Sequence, residues 1–531
     1  MELIEHIQLN TAGIGGKLTQ DYLQSKPELK ILYQFSPNLD GLKLAASERA
    51  KYPVNRKLLC EVLHKQYNGH TISDRLKTNL DLLLQENTFT VTTGHQLNLF
   101  TGPLYFIYKI ASIISLTNQL NEEIPGNNFI PIYWMNSEDH DFAEINHFFI
   151  KGEKLEWKVA LNKFGPVGKM PLNNMGSFIE DIQLKFEDQY KNDLVFRTML
   201  EAYTKSKDLA EAHRTIVNKI FGDYGVVIFN QDSTDLKREF IPFISKEIFE
   251  KSSIKNIEST NQYLEDHHYK PQVFAREINF FYTGNNLRER IIEFDNGYGL
   301  ADHSIKWTQA ELEQELHLNP QFFSPNVVTR PIYQEFTLPN IAYIGGPAEI
   351  AYWLQYKSNF DAHNTFYPAL ILRDCFLIIP EKKIRKAKEL GLKLGDFFGK
   401  LDDLINQYIK DHFKSDMDLN PMQKVLNQQY NQLLEQVNKI DPSMGEMVNA
   451  AHKKSLNELE KISSKMNKAL KNKNDVQLNI IRNLHSTIFP LGVLQERLNN
   501  IFDQTFSTHD FVTDIISHSN PLDARLKVLQ D

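Results

Sequence analysis

The sequence predicts an α/β protein: a parallel-sheet core interrupted by inserted connecting segments, followed by an antiparallel helical coiled coil. Three observations carry this prediction. Up to about Pro380, short β-rich runs alternate with amphipathic stretches of helical period. Two of those runs end in glycine-containing turns that lead into helices. After about Pro380 strand-like runs vanish, and from about Asn420 to Ser486 the apolar residues follow a heptad spacing.

Taken in order, Phe89 to Thr93 (FTVTT) is β-branched and aromatic and reads as a strand. After Gly94 to Gly102 a helix is expected from Pro103, with Leu104, Ile107, Tyr108, Ala111 and Ile114 on one face at 3–4 spacing. Phe129 to Met135 (FIPIYWM) is almost continuously apolar, as a strand buried on both faces is. Gly225 to Asn230 and Ile341 to Ile344 supply two more strands, the second running through Gly345 and Gly346 into a helix from Pro347. Phe148 to Leu161 and about Phe274 to His303 alternate like antiparallel hairpins and break the α/β rhythm, so they are read as insertions. Leu426, Tyr430, Leu433, Val437 and Ile440, then Leu459, Ile462, Met466 and Ala469 after the turn-like Asp441-Pro442-Ser443, give the two arms of a helical hairpin. Such a hairpin either folds back on its own body or pairs with a second copy, and a homodimer is the expectation adopted. The resulting division is a core over residues 1–380 with insertions at about 148–224 and 250–325, a coiled-coil domain over 381–486, and a segment over 487–531 returning to the core.

Composition narrows the function classes. The chain has 531 residues, 41% of them hydrophobic, enough to bury a sizeable core and to exclude disorder. Lys plus Arg is 59 against Asp plus Glu 67, a net charge of −8, which excludes a dedicated nucleic-acid binder. Only Cys60 and Cys375 occur, too few for a disulfide framework or a Cys-rich zinc site. The longest apolar stretch, Ile107 to Leu116, is short and contains Lys109. No basic and apolar leader precedes the first strand, so a cytoplasmic protein without membrane contact is expected.

Three constellations carry candidate chemistry. In Thr93-Gly94-His95-Gln96-Leu97-Asn98-Leu99-Phe100-Thr101-Gly102-Pro103, a strand-to-helix turn offers free N–H groups to an anion, and Gly94, Asn98, Thr101 and Gly102 are the expected contacts. The turn resembles the loop of HIGH-type nucleotidyltransferases, with His95 in the place of the first His and Asn98 where the second belongs. A tight turn in which His95 only caps a helix is the bland alternative. In Ser137-Glu138-Asp139-His140-Asp141, three carboxylates beside an imidazole follow a buried strand and are expected to face the same crevice, as a general base or an ammonium or metal site. No metal is assigned, and a solvated acidic turn is the competing reading. In Ile344-Gly345-Gly346-Pro347-Ala348-Glu349 a second helix start forms an anion or carbonyl cradle. Arg330, in a β-like run, and Arg373, after Ala369 to Leu372, are candidate carboxylate or phosphate clamps through two parallel hydrogen bonds. Ser464 to Lys468 echoes the KMSKS loop of class I synthetases, but Met466 sits on the heptad seam, so no catalysis is assigned to it.

The stretches TGHQLNLFTGPLYFIYK (Thr93 to Lys109), PIYWMNSEDHDFAEINH (Pro131 to His147), RPIYQEFTLPNIAYIGGPAEIAYWLQYK (Arg330 to Lys357) and YPALILRDC (Tyr367 to Cys375) together resemble the cysteine ligase family of bacillithiol biosynthesis, BshC, over essentially the whole length. The resemblance implies a Rossmann-like core, a dimerising coiled coil, and addition of cysteine to glucosaminyl-malate with ATP as expected cosubstrate. On that basis His95, Glu138, Asp139, His140 and Asp141 are the expected catalytic residues. Gly94, Asn98, Thr101 and Gly102 are expected to hold the nucleotide or anion, and Arg330, Gly345, Gly346, Glu349 and Arg373 the substrate. Two rival readings are a nucleotide-binding scaffold that has lost catalysis and uses the coiled coil to recruit partners, and a transferase of the same core acting on another amine and acid.

Overall fold

The computed structural model describes residues 1–159, 165–284, 287–413, 418–504 and 506–531. The chain divides into two units, Met1–Leu377 with Gln495–Leu529, and Ile378–Leu494 with Gln530–Asp531.

The first unit is organised by five strands, β1 (Thr88–His95), β2 (Asn128–Met135), β3 (Val227–Asn230), β4 (Asn340–Gly345) and β5 (Ala369–Leu372). They form one sheet in the order β5-β4-β1-β2-β3, every neighbouring pair parallel. The first strand of this sheet therefore lies in the middle; Glu2–Gln8 and, beyond Pro380 where no strand is expected, Arg525–Gln530 belong to a separate three-stranded sheet. The chain builds outward to β3, then crosses back to β4 on the other side of β1, so the strand order reverses between β1 and β4. A doubly wound sheet binds its ligands beyond the carboxyl ends of the strands at such a reversal. Parallel strands are buried on both faces, and β1 is buried at every residue although four of its eight are threonines. Those threonines are paired: Thr90 and Thr92 donate to Asn340 Oδ1 at 3.3 and 2.8 Å, and Thr93 donates to the Ile344 carbonyl at 2.8 Å, tying β1 to β4 through side chains as well as the ladder.

The turn after β1 differs from the expected helix start. Helix α1 spans Tyr105–Glu123, and Leu99–Thr101 form a separate short 3-10 turn. Phe100, Thr101 and Gly102 take φ of 49°, 68° and 61° in succession. Two non-glycine residues in the left-handed region need outside support. Tyr203 accepts the Phe100 N–H at 2.9 Å, Phe100 stacks on Phe148 at 4.6 Å, and Asn500 Nδ2 donates to the Phe100 and Gly102 carbonyls at 2.8 Å each.

Between β3 and β4 lies helix α2 (Thr234–Glu250) and an antiparallel five-stranded sheet built from Phe280–Tyr282, Glu289–Phe294, Gly297–Leu300, Lys306–Trp307 and Phe323–Pro325. Between β2 and β3, His147–Ile150 pairs with Glu153–Glu156, and the strand pattern stops there; residues 160 and 161 of the predicted run lie outside the described residues. Arg330 and Gln334 are helical, in α3 (Arg330–Thr337), not β-like. The Ile, Tyr, Phe and Thr of this stretch suggest a strand, but Pro331 presets the first helical turn and the helix is buried nearly all round, Phe336 being its exposed residue. Helix α4 (Pro347–Trp353) follows β4 directly.

In the second unit α5 (Asn420–Ile440) and α6 (Gly445–Lys473) form the antiparallel hairpin, and α7 (Asp475–Ile488) follows. Tyr430 stacks on His452 at 4.8 Å and its hydroxyl meets Ser455 Oγ at 2.8 Å. Ser464 to Lys468 lies inside α6. Among the described residues no helix is long and apolar enough to cross a membrane.

A Cβ at Gly102 falls 2.7 Å from the Asn98 Cβ, in a backbone region that side chains rarely enter. Gly102→Ala is therefore expected to destabilise the first unit by about 1–3 kcal/mol, read as a lower calorimetric midpoint. An unchanged midpoint would show that the turn is free to relax.

Candidate active site

At the reversal the carboxyl ends of β1 and β4 flank a cavity of about 490 Å³. Gly94 and His95 line it from β1, Asn136 from just after β2, Gln231 from just after β3, and Gly346 and Glu349 from the start of α4. Five basic side chains (Lys109, Arg288, Arg330, Arg373 and Arg497) and three acidic ones (Asp139, Glu144 and Glu349) face it, so its field favours an anion.

Lys109, on α1, joins the two sides. Its ammonium donates to the Gly94 carbonyl at 2.8 Å and pairs with Glu349 at 2.5 Å. Glu349 also accepts the Gly346 N–H at 2.8 Å and the Tyr343 hydroxyl at 2.7 Å. Burial pushes the Glu349 carboxyl up, but Lys109 outweighs it and holds it below its ordinary value. The expected cradle at Gly346 is thus filled by the chain's own carboxylate. Gly345 does not line the cavity; a Cβ there would fall 2.9 Å from the Glu349 Cβ, so it serves close packing.

His95 is buried, stacks on the Phe106 ring at 5.2 Å, and has no partner at Nε2. Burial first, then the charges of Lys109 and Arg373 and the neighbouring His213, hold its pKa well below 6.5, so the imidazole is neutral at physiological pH. It can offer a hydrogen bond to a developing charge but not a positive charge of its own.

Several expected anion contacts sit elsewhere. Asn98 is buried with Nδ2 on the Glu144 carbonyl at 3.1 Å, Thr101 is buried, and the Gly102 N–H is taken by the Leu99 carbonyl at 2.8 Å. None of the three lines the cavity, and Asn98 Oδ1 and Thr101 Oγ1 are buried without a hydrogen-bond partner. Of this loop, Gly94 and His95 are the members that reach the cavity.

The acidic run also splits. Asp139 faces the cavity, accepts from Gln96 Nε2 at 2.8 Å and lies 3.8 Å from Arg288. Burial raises its pKa, yet the hydrogen bonds from His140 and Gln96 and the Arg288 charge outweigh burial and leave it well below the usual carboxylate range. Glu138 turns inward, forms a fully buried pair with Lys237 and does not line the cavity; burial raises its pKa, Lys237 opposing. His140 is exposed with Nδ1 on Arg288 Nη1 at 2.7 Å, and Asp141 caps the short helix Phe142–Ile145 by accepting from Glu144 N–H at 3.2 Å. Glu138 and Asp141 are therefore structural side chains in this conformation.

The two arginines differ. Arg373 places both Nη atoms on Glu496, at 2.8 and 2.6 Å, in a buried bidentate pair, which leaves Nε toward the cavity and removes its fork from any ligand. Arg330 is buried, donates Nη1 to Gln334 Oε1 at 3.0 Å, and has no carboxylate at ion-pairing distance among the described residues. Lys109, Arg288, Glu144, Asn136 and Gln231 line the site without having been anticipated from the sequence. A lysine inside the apolar face of α1 was the available signal for Lys109. Arg288 reaches the cavity from the inserted sheet, with no local signal at all. Both thiols are buried and raised, Cys60 to about 11 and Cys375 to about 12, so neither is a ready nucleophile. Among the described residues no group of His, Cys, Asp or Glu could hold a metal ion.

A doubly wound parallel sheet with a basic cavity at its reversal defines a Rossmann-like α/β ligand-binding protein. The chain belongs to the BshC family: residues 1–374 match the model of the bacillithiol biosynthesis BshC N-terminal Rossmann-like domain, and residues 376–530 that of its C-terminal coiled-coil domain. Among curated relatives, proteins named "Putative cysteine ligase BshC" match from Flavobacterium johnsoniae (41% identity, 93% of each chain), Flavobacterium psychrophilum (38%, 99% of each) and Christiangramia forsetii (38%, 96% of each).

His213 is also buried and held down to about 3, by burial and by Arg214. The unfolded chain protonates both histidines near pH 6.5 while the folded chain does not, so stability is full above that pH and is lost as pH falls through it, by up to about 1.4 kcal/mol per pH unit for each histidine. Calorimetry from pH 7 to 5 is expected to show this slope, and His95→Gln to lower it by up to about 1.4 kcal/mol per pH unit; an equal slope in the variant would mean His95 titrates normally.

Proposed function

We propose that the chain is a C–N bond-forming ligase that joins L-cysteine to glucosaminyl-malate, using ATP to activate the cysteine carboxyl. The observation that carries this reading is the basic cavity at the β1/β4 reversal, whose lining combines a buried arginine, without a carboxylate at ion-pairing distance among the described residues, with Asp139 and Glu144. The name shared by the relatives supports the same chemistry.

A carboxylate is a poor acyl donor, so its oxygen first attacks a phosphorus of ATP. Attack at the α-phosphorus releases pyrophosphate and leaves an acyl-adenylate; attack at the γ-phosphorus releases ADP and leaves an acyl-phosphate. The sugar amine then adds to the carbonyl, AMP or phosphate departs, and the amine proton passes to a base. In this reading His95 donates a hydrogen bond to the anionic oxygens from its neutral ring, and Arg330 carries the charge that holds an acidic group. Asp139, ionised throughout the working range, orients the neutral sugar amine by accepting a hydrogen bond from it. Glu144, exposed at the cavity rim and outside any ion pair among the described residues, takes the proton.

The test is incubation of the full chain with both substrates and ATP, scoring the new thiol by mass spectrometry and AMP against ADP by chromatography. Product with ATP consumption is expected; neither would favour the non-catalytic scaffold. Asp139→Asn is expected to lower kcat/KM by at least about a hundredfold, the order of a lost charge contact, in a variant that circular dichroism shows to be folded. Full activity in that variant would remove Asp139 from the mechanism.

The reading includes a homodimer through the hairpin. Val425, Leu433, Ile440, Met447 and Ile462 are large apolar side chains exposed on α5 and α6, a pattern suited to a second helical surface. Sedimentation of the full chain is expected to give twice the monomer mass, and Leu433→Glu with Ile462→Glu to halve it.

A further inference from the structure

The buried cations of the cavity are held in two different ways. Lys109, Arg288 and Arg373 each have a carboxylate partner: Glu349 at 2.5 Å, Asp139 at 3.8 Å and Glu496 at 2.6 Å. Arg330 has instead a chain of neutral dipoles. Its Nη1 donates to Gln334 Oε1 at 3.0 Å, Gln334 Nε2 donates to Glu335 Oε1 at 2.8 Å, and Asn340 Nδ2 donates to the same oxygen at 2.8 Å. Asn340 in turn accepts from Thr90 and Thr92 of β1. The orientation of the Gln334 amide follows from its neighbours, since a flipped amide would set its NH₂ against the guanidinium. Glu335 Oε1 receives two donors while Oε2 is buried without a partner, which leaves an ionised carboxylate under-solvated and favours the neutral form. Burial, outweighing Arg49, pushes its pKa up to about 8, in keeping with that form. Glu335 therefore does not neutralise Arg330 at physiological pH.

We propose that Gln334 is a positioning residue that fixes Arg330 at the Gly94 rim without cancelling its charge, so that Arg330 receives an oxyanion, either the malyl carboxylate or a nucleotide phosphate. The rim placement rests on Arg330 Nη1 lying 3.8 Å from a Cβ built on Gly94. The inference depends on the ligase reading for the identity of the two acids. Its physical content is that an uncharged clamp preserves a buried charge for a ligand, where a carboxylate clamp would consume it.

Gln334→Glu keeps the shape and adds a carboxylate beside Arg330; Gln334→Met removes the hydrogen bond and leaves the charge. Calorimetric titration of the full chain with glucosaminyl-malate, and separately with ATP, is expected to show Gln334→Glu weakening one of the two by about tenfold or more. Gln334→Met is expected to weaken it by less than about threefold, a few tenths of the effect of a lost charge contact. Which ligand responds identifies the oxyanion. A purely structural glutamine predicts the opposite order, the isosteric variant being the milder. The proposal is overturned if Gln334→Glu binds both ligands as the parent does, or if Gln334→Met loses as much. Should Gln334→Glu not fold, Arg330→Met decides: tenfold weaker binding of one ligand supports the proposal, and parental affinity for both overturns it. Parent protein that binds but does not ligate would sink the ligase reading and leave this inference standing; turnover with undiminished binding in Gln334→Glu would do the reverse.

Discussion

The candidate site depends on the buried bond between Lys109 and Glu349. β1 and β4 arrive from distant parts of the chain, and Lys109 links the last carbonyls of one to the first turn after the other by holding the Gly94 carbonyl and the Glu349 carboxylate together. Glu349 then closes on the Gly346 N–H. Breaking a buried pair from one side costs about 3–5 kcal/mol because the remaining charge is stranded. The spacing of the two glycine turns is thereby set by electrostatics rather than by strand pairing alone, and the cavity between them inherits its width from that pair.

The fold was largely legible because its signals are local. Buried parallel strands announce themselves as apolar runs such as FIPIYWM, and the heptads of α5 and α6 mark a hairpin. What misled was also local. Arg330 to Thr337 carries β-favouring side chains yet is helical, because tertiary burial of the segment on nearly all sides overrode propensity. The site was half legible. His95, Gly346 and Asp139 follow from the rule that ligands gather beyond strand ends. The fates of Glu138 and Arg373 do not, because they are decided by Lys237 and Glu496, each about a hundred residues further along the chain.

The distribution of charge in the cavity separates support from availability. Paired cations set positions: Lys109 spaces the turns, and Arg373 anchors the end of β5 to Glu496. Asp139, held ionised by Gln96, His140 and Arg288, keeps a negative charge at the wall whatever the physiological pH. His95 stays neutral because three neighbouring basic groups and its own burial forbid a further positive charge. An anion entering this space meets a field already fixed by the protein, with little reorganisation left to do.

Asn500 and Glu496 have a consequence for how the molecule is made. The strained turn at Phe100 to Gly102 leans on Asn500, and the cavity-lining Arg373 on Glu496, so the turn and one side of the cavity are completed by residues synthesised some four hundred and one hundred and twenty positions later. On the ribosome the nascent first unit must wait, with β1 to β5 already emerged, until the whole hairpin has been translated and the chain comes back. A chain ending anywhere in the hairpin lacks Glu496 and Asn500, so the Arg373 guanidinium loses its carboxylate and the Phe100 and Gly102 carbonyls lose their shared donor.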